Sequence, residues 1–346
     1  MNSLLTLHSE IIKGFLMLNE FSLKKKAAVI SLAVGIGMFF AKMGAYLLTG
    51  SAAIFSDAAE SVVHVLATSM ALYSIILSSK PADKSHLYGH GNIEFFSAGI
   101  EGLLIIVAAI FIIFTATMDI IKGTNLKQLD IGVIIVSIAG VVNLLLGSYL
   151  VRRGKKTNSL TLIADGKHVL TDSYTSIGVI IGISLVIITG FQLLDPLFAI
   201  AIALNILITG YKLMRQSVGG LMAEADKDIL KKITEKIISD KKDYWIDIHQ
   251  LRFWQSGDKI FIDFHLILPY YFTIQQSHSE EDEIQNLLER QFPNSQIKIH
   301  FDYCVPELCK FCDYKKCTVR TSAKSKSFSW DEEKLTGKSV YVLKNN

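Results

Sequence analysis

Charge is scarce in this chain. Asp, Glu, Lys and Arg make up 19% of its 346 residues and hydrophobic residues 50%, too apolar a balance for a typical soluble enzyme of this length. Cysteine is scarcer still: there are four, all between residues 304 and 317. That clustering points to soft-metal chemistry rather than to disulfides. The formal net charge is only +3, and no nucleic-acid partner is expected. No HExxH segment occurs, which removes the usual helix-borne arrangement of a zinc hydrolase. Met1 to Glu20 lacks a basic start and a cleavage site, so no cleavable signal peptide is expected there.

What the chain has instead is long apolar runs, all before residue 215. Six reach spanning length, at about 27–49, 52–78, 95–120, 129–151, 160–189 and 193–213. Cationic residues collect in alternate connections: Lys24, Lys25 and Lys26, then Lys80 and Lys84, then Arg152, Arg153, Lys155 and Lys156, then Lys212 and Arg215. The other side offers only Lys122 and Lys127. The positive-inside rule then places both termini in the cytoplasm of a multi-pass membrane protein.

Two of the spans carry a polar face. Asp57, Glu60 and His64 lie in span two, and Asp165, His168 and Asp172 in span five. Each set recurs at i, i+3 and i+7, which aligns three metal-capable side chains along one stripe of a helix. Ionisable groups at lipid depth are costly, and two matched stripes imply one intramembrane site for a divalent cation. Glu60, His64, His168 and Asp172 supply two oxygen and two nitrogen ligands, a set suited to tetrahedral Zn²⁺ and poorly suited to Mg²⁺ or Ca²⁺. Asp57 and Asp165, one turn earlier, are expected to support the ligands. Lys42, Glu101 and Asn143 also sit at membrane depth and are left off the metal path.

After Arg215 the pattern changes to that of a small soluble α+β domain. Ile229, Ile233 and Ile237 recur at helical spacing; Trp245–Trp254 and Lys259–Leu268 read as strands around a Ser256-Gly257-Asp258 turn. Glu280–Phe292 reads as a second helix before Pro293, and Gln296–Phe301 as a third strand. Cys304, Cys309, Cys312 and Cys317, with four, two and four residues between them, fit a tetrahedral zinc site, an iron–sulfur cluster, or reduced or redox-active thiols. Thr318–Asn346 is weakly patterned and reads either as a loose tail or as a segment packed on the domain.

At the residues of the two stripes the chain resembles the cation diffusion facilitator family, particularly its bacterial ferrous-iron and zinc efflux type, over about residues 27–303. The Thr49-Gly50-Ser51 turn and the His168-x-x-x-Asp172 pair match the family's pattern. The resemblance implies that Glu60, His64, His168 and Asp172 form the transport site, although the family usually has His or Asp and then Asp in span two. It maps a cytosolic loop site to Asp83, His86 and His90, within Pro81–Gly91. It also implies a cytosolic binuclear zinc site at His249, His265, His278, His300 and Asp302, in a metallochaperone-like (ferredoxin-like) domain through which such proteins dimerise. Eight of the nine histidines fall at these positions; His8 does not.

The resulting expectation is a cytoplasmic segment at 1–26, a six-helix transmembrane domain at 27–215, a cytoplasmic metal-binding and dimerisation domain at 216–303, and a Cys-rich segment and tail at 304–346. The expected function is export of Zn²⁺ across the cell (inner) membrane in exchange for protons, by alternating access in a homodimer. Fe²⁺, Co²⁺, Cd²⁺ or Mn²⁺ is the alternative cargo, and a membrane metal sensor the alternative class. An enzyme is not expected.

Overall fold

The computed structural model describes residues 2–123, 126, 128–157 and 159–338, with side chains from residue 22 onward except that of Leu160. Lys127, the side chain of His8 and the tail's end at 339–346 lie outside the described residues. The chain divides into two compact units, Met1–Met222 and Ala223–Asn346.

The first unit contains six helices: α1 (Asn2–Thr49), α2 (Ala52–Ser78), α3 (Ile93–Lys122), α4 (Leu129–Lys156), α5 (Leu160–Thr189) and α6 (Leu194–Leu221). All six include a stretch long and apolar enough to cross a membrane; in α1 it is Ser22–Thr49. Their outward side chains are lipid-compatible, including Phe40, Leu47, Phe111, Leu145 and Ile188. The inward faces use small residues. A Cβ on Gly166 would lie 2.7 Å from the Val151 backbone nitrogen, and one on Gly147 would lie 2.8 Å from Gly166 O. Glycine at these positions lets α4 and α5 touch backbone to backbone, the usual route to tight helix packing without a hydrophobic driving force.

Local signals set where the two polar helices begin. Gly50, with φ +65°, makes the turn that α1 needs to end, and the Ser51 hydroxyl accepts from Ile54 N at 3.2 Å to cap α2. Asp195 on α6 reinforces that cap: it accepts from Ser51 Oγ at 2.5 Å and from Ala52 N at 2.6 Å. A carboxylate against a helix N-terminus is favourable, and here it stitches α6 to α2. Ser159 caps α5 in the same way, through Leu162 N.

The second unit runs α7 (Lys227–Ser239), β1 (Asp247–Ser256), β2 (Lys259–Leu268), α8 (Ile274–Glu289), β3 (Ser295–Tyr303) and a short α9 (Glu332–Thr336). The sheet order is β1-β2-β3, with β1 antiparallel and β3 parallel to β2. The order α-β-β-α-β is a ferredoxin-like pattern without its first strand. Helix α8 starts six residues before the expected Glu280, because Thr273 and Gln276 form a capping box ahead of it. The core gathers Ile233, Ile237, Trp245, Phe264, Leu266 and Leu288. The tail packs on the domain rather than hanging loose: Leu335 is fully buried in that core, and Gln250 N donates to Gly337 O at 2.8 Å. Gln250 has φ +54° and sits in a bulge where the β1–β2 register shifts between His249 and Arg252.

Candidate metal sites

Inside the helical unit, α2 and α5 bring their polar stripes toward each other. Glu60, His64 and Asp172 are buried, and the His168 side chain is only 9% exposed. The His64 and His168 rings lie 6.1 Å apart, centroid to centroid, and His168 Nδ1 is 3.8 Å from Asp172 Oδ1. Glu60 accepts a hydrogen bond from Thr175 at 2.9 Å. Among the described residues, His168 Nε2 and Asp172 Oδ1 are buried without a hydrogen-bond partner. Buried polar atoms are normally satisfied, so an orphaned nitrogen beside an orphaned carboxylate oxygen marks a place for a cation or a proton.

The two outlying aspartates have different partners. Asp57 forms a buried ion pair with Lys42 at 2.8 Å and accepts from Ser176 at 2.9 Å. Asp165 accepts from Ser31 at 2.9 Å and Thr68 at 3.1 Å, and lies 3.5 Å from His64 Nε2. Asp165 therefore orients His64 while tying α1, α2 and α5 together. Lys42 and Ser31 on α1 were not legible as site residues, because α1 carries no stripe of its own.

A cavity of about 360 Å³ reaches His168. Its walls come from the start of α3 (Glu94), the start of α5 (Thr161) and the end of α6 (Lys212, Ser217), and Glu101 lines it on the way. Glu101 is buried, and its Oε1 lacks a hydrogen-bond partner. This carboxyl stands on the wall of a recess that reaches His168.

The loop before α3 gathers Asp83, His86 and His90 with ligand atoms within 4.8 Å of one another. Asp83 Oδ1 accepts from Ser85 N at 2.8 Å and His86 N at 2.7 Å, and Oδ2 lies 3.3 Å from His90 Nε2. The His86 and Ser85 backbone N–H groups hold this carboxyl below the usual carboxylate range. Gly89, with φ +87°, makes the turn that returns His90 to Asp83.

In the second unit, strand register assembles the cluster. His249 pairs with His265 across β1–β2, and His265 with His300 across β2–β3, so three imidazoles line one face. Ring centroids are 5.0 and 4.4 Å apart. Asp302 lies 2.9 Å from His265 Nδ1, 3.8 Å from His249 Nε2 and 3.4 Å from His300 Nε2. Its atoms and those of His249 and His265 fall within 4.8 Å of one another. His278 is exposed on α8, 3.6 Å from Glu281, and is not part of this gathering. Behind His249 stands Asp247, 3.2 Å from its Nδ1, held in turn by Lys334 of the tail at 2.5 Å.

Cys304, Cys309, Cys312 and Cys317 are free thiols that line one small pocket. Burial pushes the Cys304 and Cys312 thiols up. At Cys309 burial acts the same way, but hydrogen bonds from Thr321 and Ser322 and the Arg320 charge outweigh it and hold the thiol below its ordinary value.

Paired buried imidazoles and carboxylates in a six-helix unit, with further His/Asp clusters outside it, define a membrane protein that handles metal cations. Comparison with known proteins agrees. The family model of the cation efflux transmembrane domain matches residues 28–222, and that of the cation efflux protein cytoplasmic domain matches 225–304. An uncharacterized transporter of Synechocystis sp. is 32% identical over 280 residues, covering 81% of this chain and 90% of its own. The cation-efflux pump FieF of Serratia proteamaculans is 29% identical over 290 residues, with 82% and 95% covered. FieF of Salmonella arizonae is 28% identical over 295 residues, with 84% and 97% covered. The chain belongs to the cation efflux family, the cation diffusion facilitators, which are multi-pass membrane transporters rather than enzymes.

Proposed function

We propose that this protein exports a divalent transition-metal cation from the cytoplasm in exchange for protons, with Zn²⁺ as its principal cargo. The observation that carries this reading is the pair of orphaned atoms, His168 Nε2 and Asp172 Oδ1, beside a cavity that opens among the ends of α3, α5 and α6. The distribution of lysine and arginine supports a cytoplasmic position for those ends. The cation enters along Glu101, reaches His168 and Asp172, and is completed by Glu60 and His64 on α2. Two carboxylates balance the +2 charge, and two imidazoles favour Zn²⁺ over Mg²⁺ and Ca²⁺. Binding requires neutral imidazole and ionised carboxylate, so loading the cation releases protons. On the far side, protons return to the ligands and displace it. Rocking of the helices that carry a fixed site supplies the alternation.

The loop cluster at Asp83, His86 and His90 sits where it can meet incoming cytosolic metal. The sheet cluster at His249, His265, His300 and Asp302 is read as a binuclear cytosolic zinc site, and the match to the family's cytoplasmic domain supports a homodimer joined through it. On this reading both termini lie in the cytoplasm and the protein in the cell (inner) membrane. Proteoliposomes with an imposed pH gradient test the whole reading. Zn²⁺ flux is expected to exceed that of Fe²⁺, Co²⁺, Cd²⁺ and Mn²⁺, and to vanish in Asp172→Ala and His64→Ala. Absence of flux for every metal would leave a sensor, and full flux in both variants would remove the proposed site.

A further inference from the structure

We propose that Cys304, Cys309, Cys312 and Cys317 bind one structural Zn²⁺, which fastens the segment after β3 and so holds the tail on the sheet. The inference does not depend on the transport reading. Four thiols within 14 residues form walls of a single pocket, with Ile246, Leu308 and Tyr314 among the remainder. The pocket is small, about 20 Å³, which suits one ion and not a multi-iron cluster. No pair is joined as a disulfide.

The backbone around the thiols is shaped for ligation. Cys304 N donates to Leu268 O at 3.0 Å, which pins the first thiol to the end of β2. Cys309 and Cys312 bound a tight turn closed by Cys312 N donating to Cys309 O at 3.4 Å. Donors aim at sulfur: Tyr314 N lies 3.4 Å from Cys312 Sγ, and Thr321 Oγ1 lies 3.5 Å from Cys309 Sγ. Such outer hydrogen bonds orient and stabilise metal-bound thiolates. The Arg320 guanidinium spans the loop, donating to the carbonyls of Cys309 at 3.0 Å, Cys312 at 3.1 Å and Tyr314 at 2.9 Å. A zinc ion with four thiolates carries a net charge of −2, and Arg320 sits beside it.

Among the described residues, three ligand atoms within 4.8 Å of one another occur at the two His/Asp clusters and not among the thiols. The sulfurs surround the pocket and close on a metal, as expected where binding completes the fold of a small segment. That segment is held by polar contacts and has little apolar core of its own. From 304 to 329 its buried hydrophobic residues are Leu308 and Cys312. Small units with so little core rely on a metal or a covalent staple.

The staple has a consequence along the chain. The tail leans on the cysteine loop through Ser325 N and Lys326 N, both 2.9 Å from Lys310 O, and through the Phe311–Phe328 ring contact at 5.7 Å. It then delivers Lys334 to Asp247, beside His249. A metal at the thiols thus fixes the segment that supports the sheet cluster.

The test uses the full-length protein purified in detergent, loaded with Zn²⁺ alone and dialysed. The unmodified protein is expected to retain one more Zn²⁺ per chain than Cys309→Ser/Cys312→Ser, and to show a sulfur shell at about 2.3 Å by zinc X-ray absorption. That shell disappears in the variant. Trypsin cleavage at Lys315, Lys316, Lys324 and Lys326 rises at least tenfold, both in the variant and in unmodified protein stripped by a chelator. Thiol counting on the unmodified protein adds a readout that needs no variant: four protected thiols become reactive when the metal is removed. Equal zinc content with no sulfur shell overturns the site, as does retained iron with a visible chromophore. Unchanged tryptic resistance after stripping overturns the staple.

Discussion

Lys42 Nζ lies 2.8 Å from Asp57 Oδ1, between α1 and α2, and neither side chain reaches the surface. Asp57 shares the stripe of Glu60 and His64, but its Oδ1 is already met by Lys42 and Ser176, while Oδ2 has no hydrogen-bond partner among the described residues. We propose that it serves as a counter-charge to Lys42 rather than as a cation ligand. Breaking a buried pair from one side leaves an uncompensated charge, at a cost of about 3–5 kcal/mol, whereas replacing both partners is often near neutral. Lys42→Met is expected to lower thermal stability in detergent sharply, and Lys42→Met/Asp57→Leu to recover most of the loss. A single variant as stable as the parent would contradict this role.

Gly35 on α1 makes room for the His64 ring. A Cβ there would lie 3.0 Å from His64 Nδ1 and 3.1 Å from Cε1, so a methyl group must push the imidazole. Overpacking of this kind costs about 1–3 kcal/mol, roughly tenfold or more in affinity if the displaced group is a ligand. Gly35→Ala is expected to weaken Zn²⁺ binding by about that factor. Gly37→Ala, which meets nothing within 4 Å, provides the control and should match the parent. Equal effects of the two substitutions would mean that His64 does not need its space.

Glu101 combines burial, an orphaned oxygen and a place on the wall of the cavity that reaches His168. A carboxyl kept at membrane depth without a partner serves a path. Glu101→Gln keeps the shape and removes the charge. It is expected to slow Zn²⁺ flux roughly tenfold, within the range seen for groups that assist metal ligands, while equilibrium affinity at the four-ligand site changes little. A loss of affinity with unchanged turnover would instead make Glu101 part of the site itself.

Much of this architecture was legible because each signal was periodic. The six apolar runs and the i, i+3, i+7 stripes need only helix geometry to be read, and the strands from Lys259 to Leu268 and near Gln296 to Phe301 need only their apolar content. The capping box at Thr273 is short and local, and it was passed over in favour of the later amphipathic stretch. The partners of the stripes were not legible for a different reason. Ser31, Lys42 and Asp195 meet Asp165, Asp57 and Ser51 across separations of 134, 15 and 144 residues, and only tertiary packing reveals such pairs. The docking of the tail is not legible because Lys334 and Leu335 carry no pattern between them; an apolar anchor and a buried ion pair, with Trp330 and a few backbone bonds, hold it.

That ion pair reaches the sheet cluster. Lys334 is fully buried, with Nζ 2.9 Å from Ile248 O and 2.5 Å from Asp247 Oδ1, while Asp247 Oδ2 stands 3.2 Å from His249 Nδ1. A carboxylate this close behind an imidazole positions the ring electrostatically, with the other nitrogen, Nε2, 3.8 Å from Asp302. The tail lysine keeps that carboxylate in place. Lys334→Met is therefore expected to lower zinc affinity at the sheet cluster by about 10–100-fold, the usual cost of losing such support. Leu335→Ala opens a cavity in the same tail without touching the carboxylate and separates docking from orientation. If Lys334 only docks the tail, the two variants will lose stability together and affinity equally. If it positions His249 through Asp247, zinc titration of the full-length protein, carried out with the transport ligands removed by Asp172→Ala, will show the larger loss for Lys334→Met.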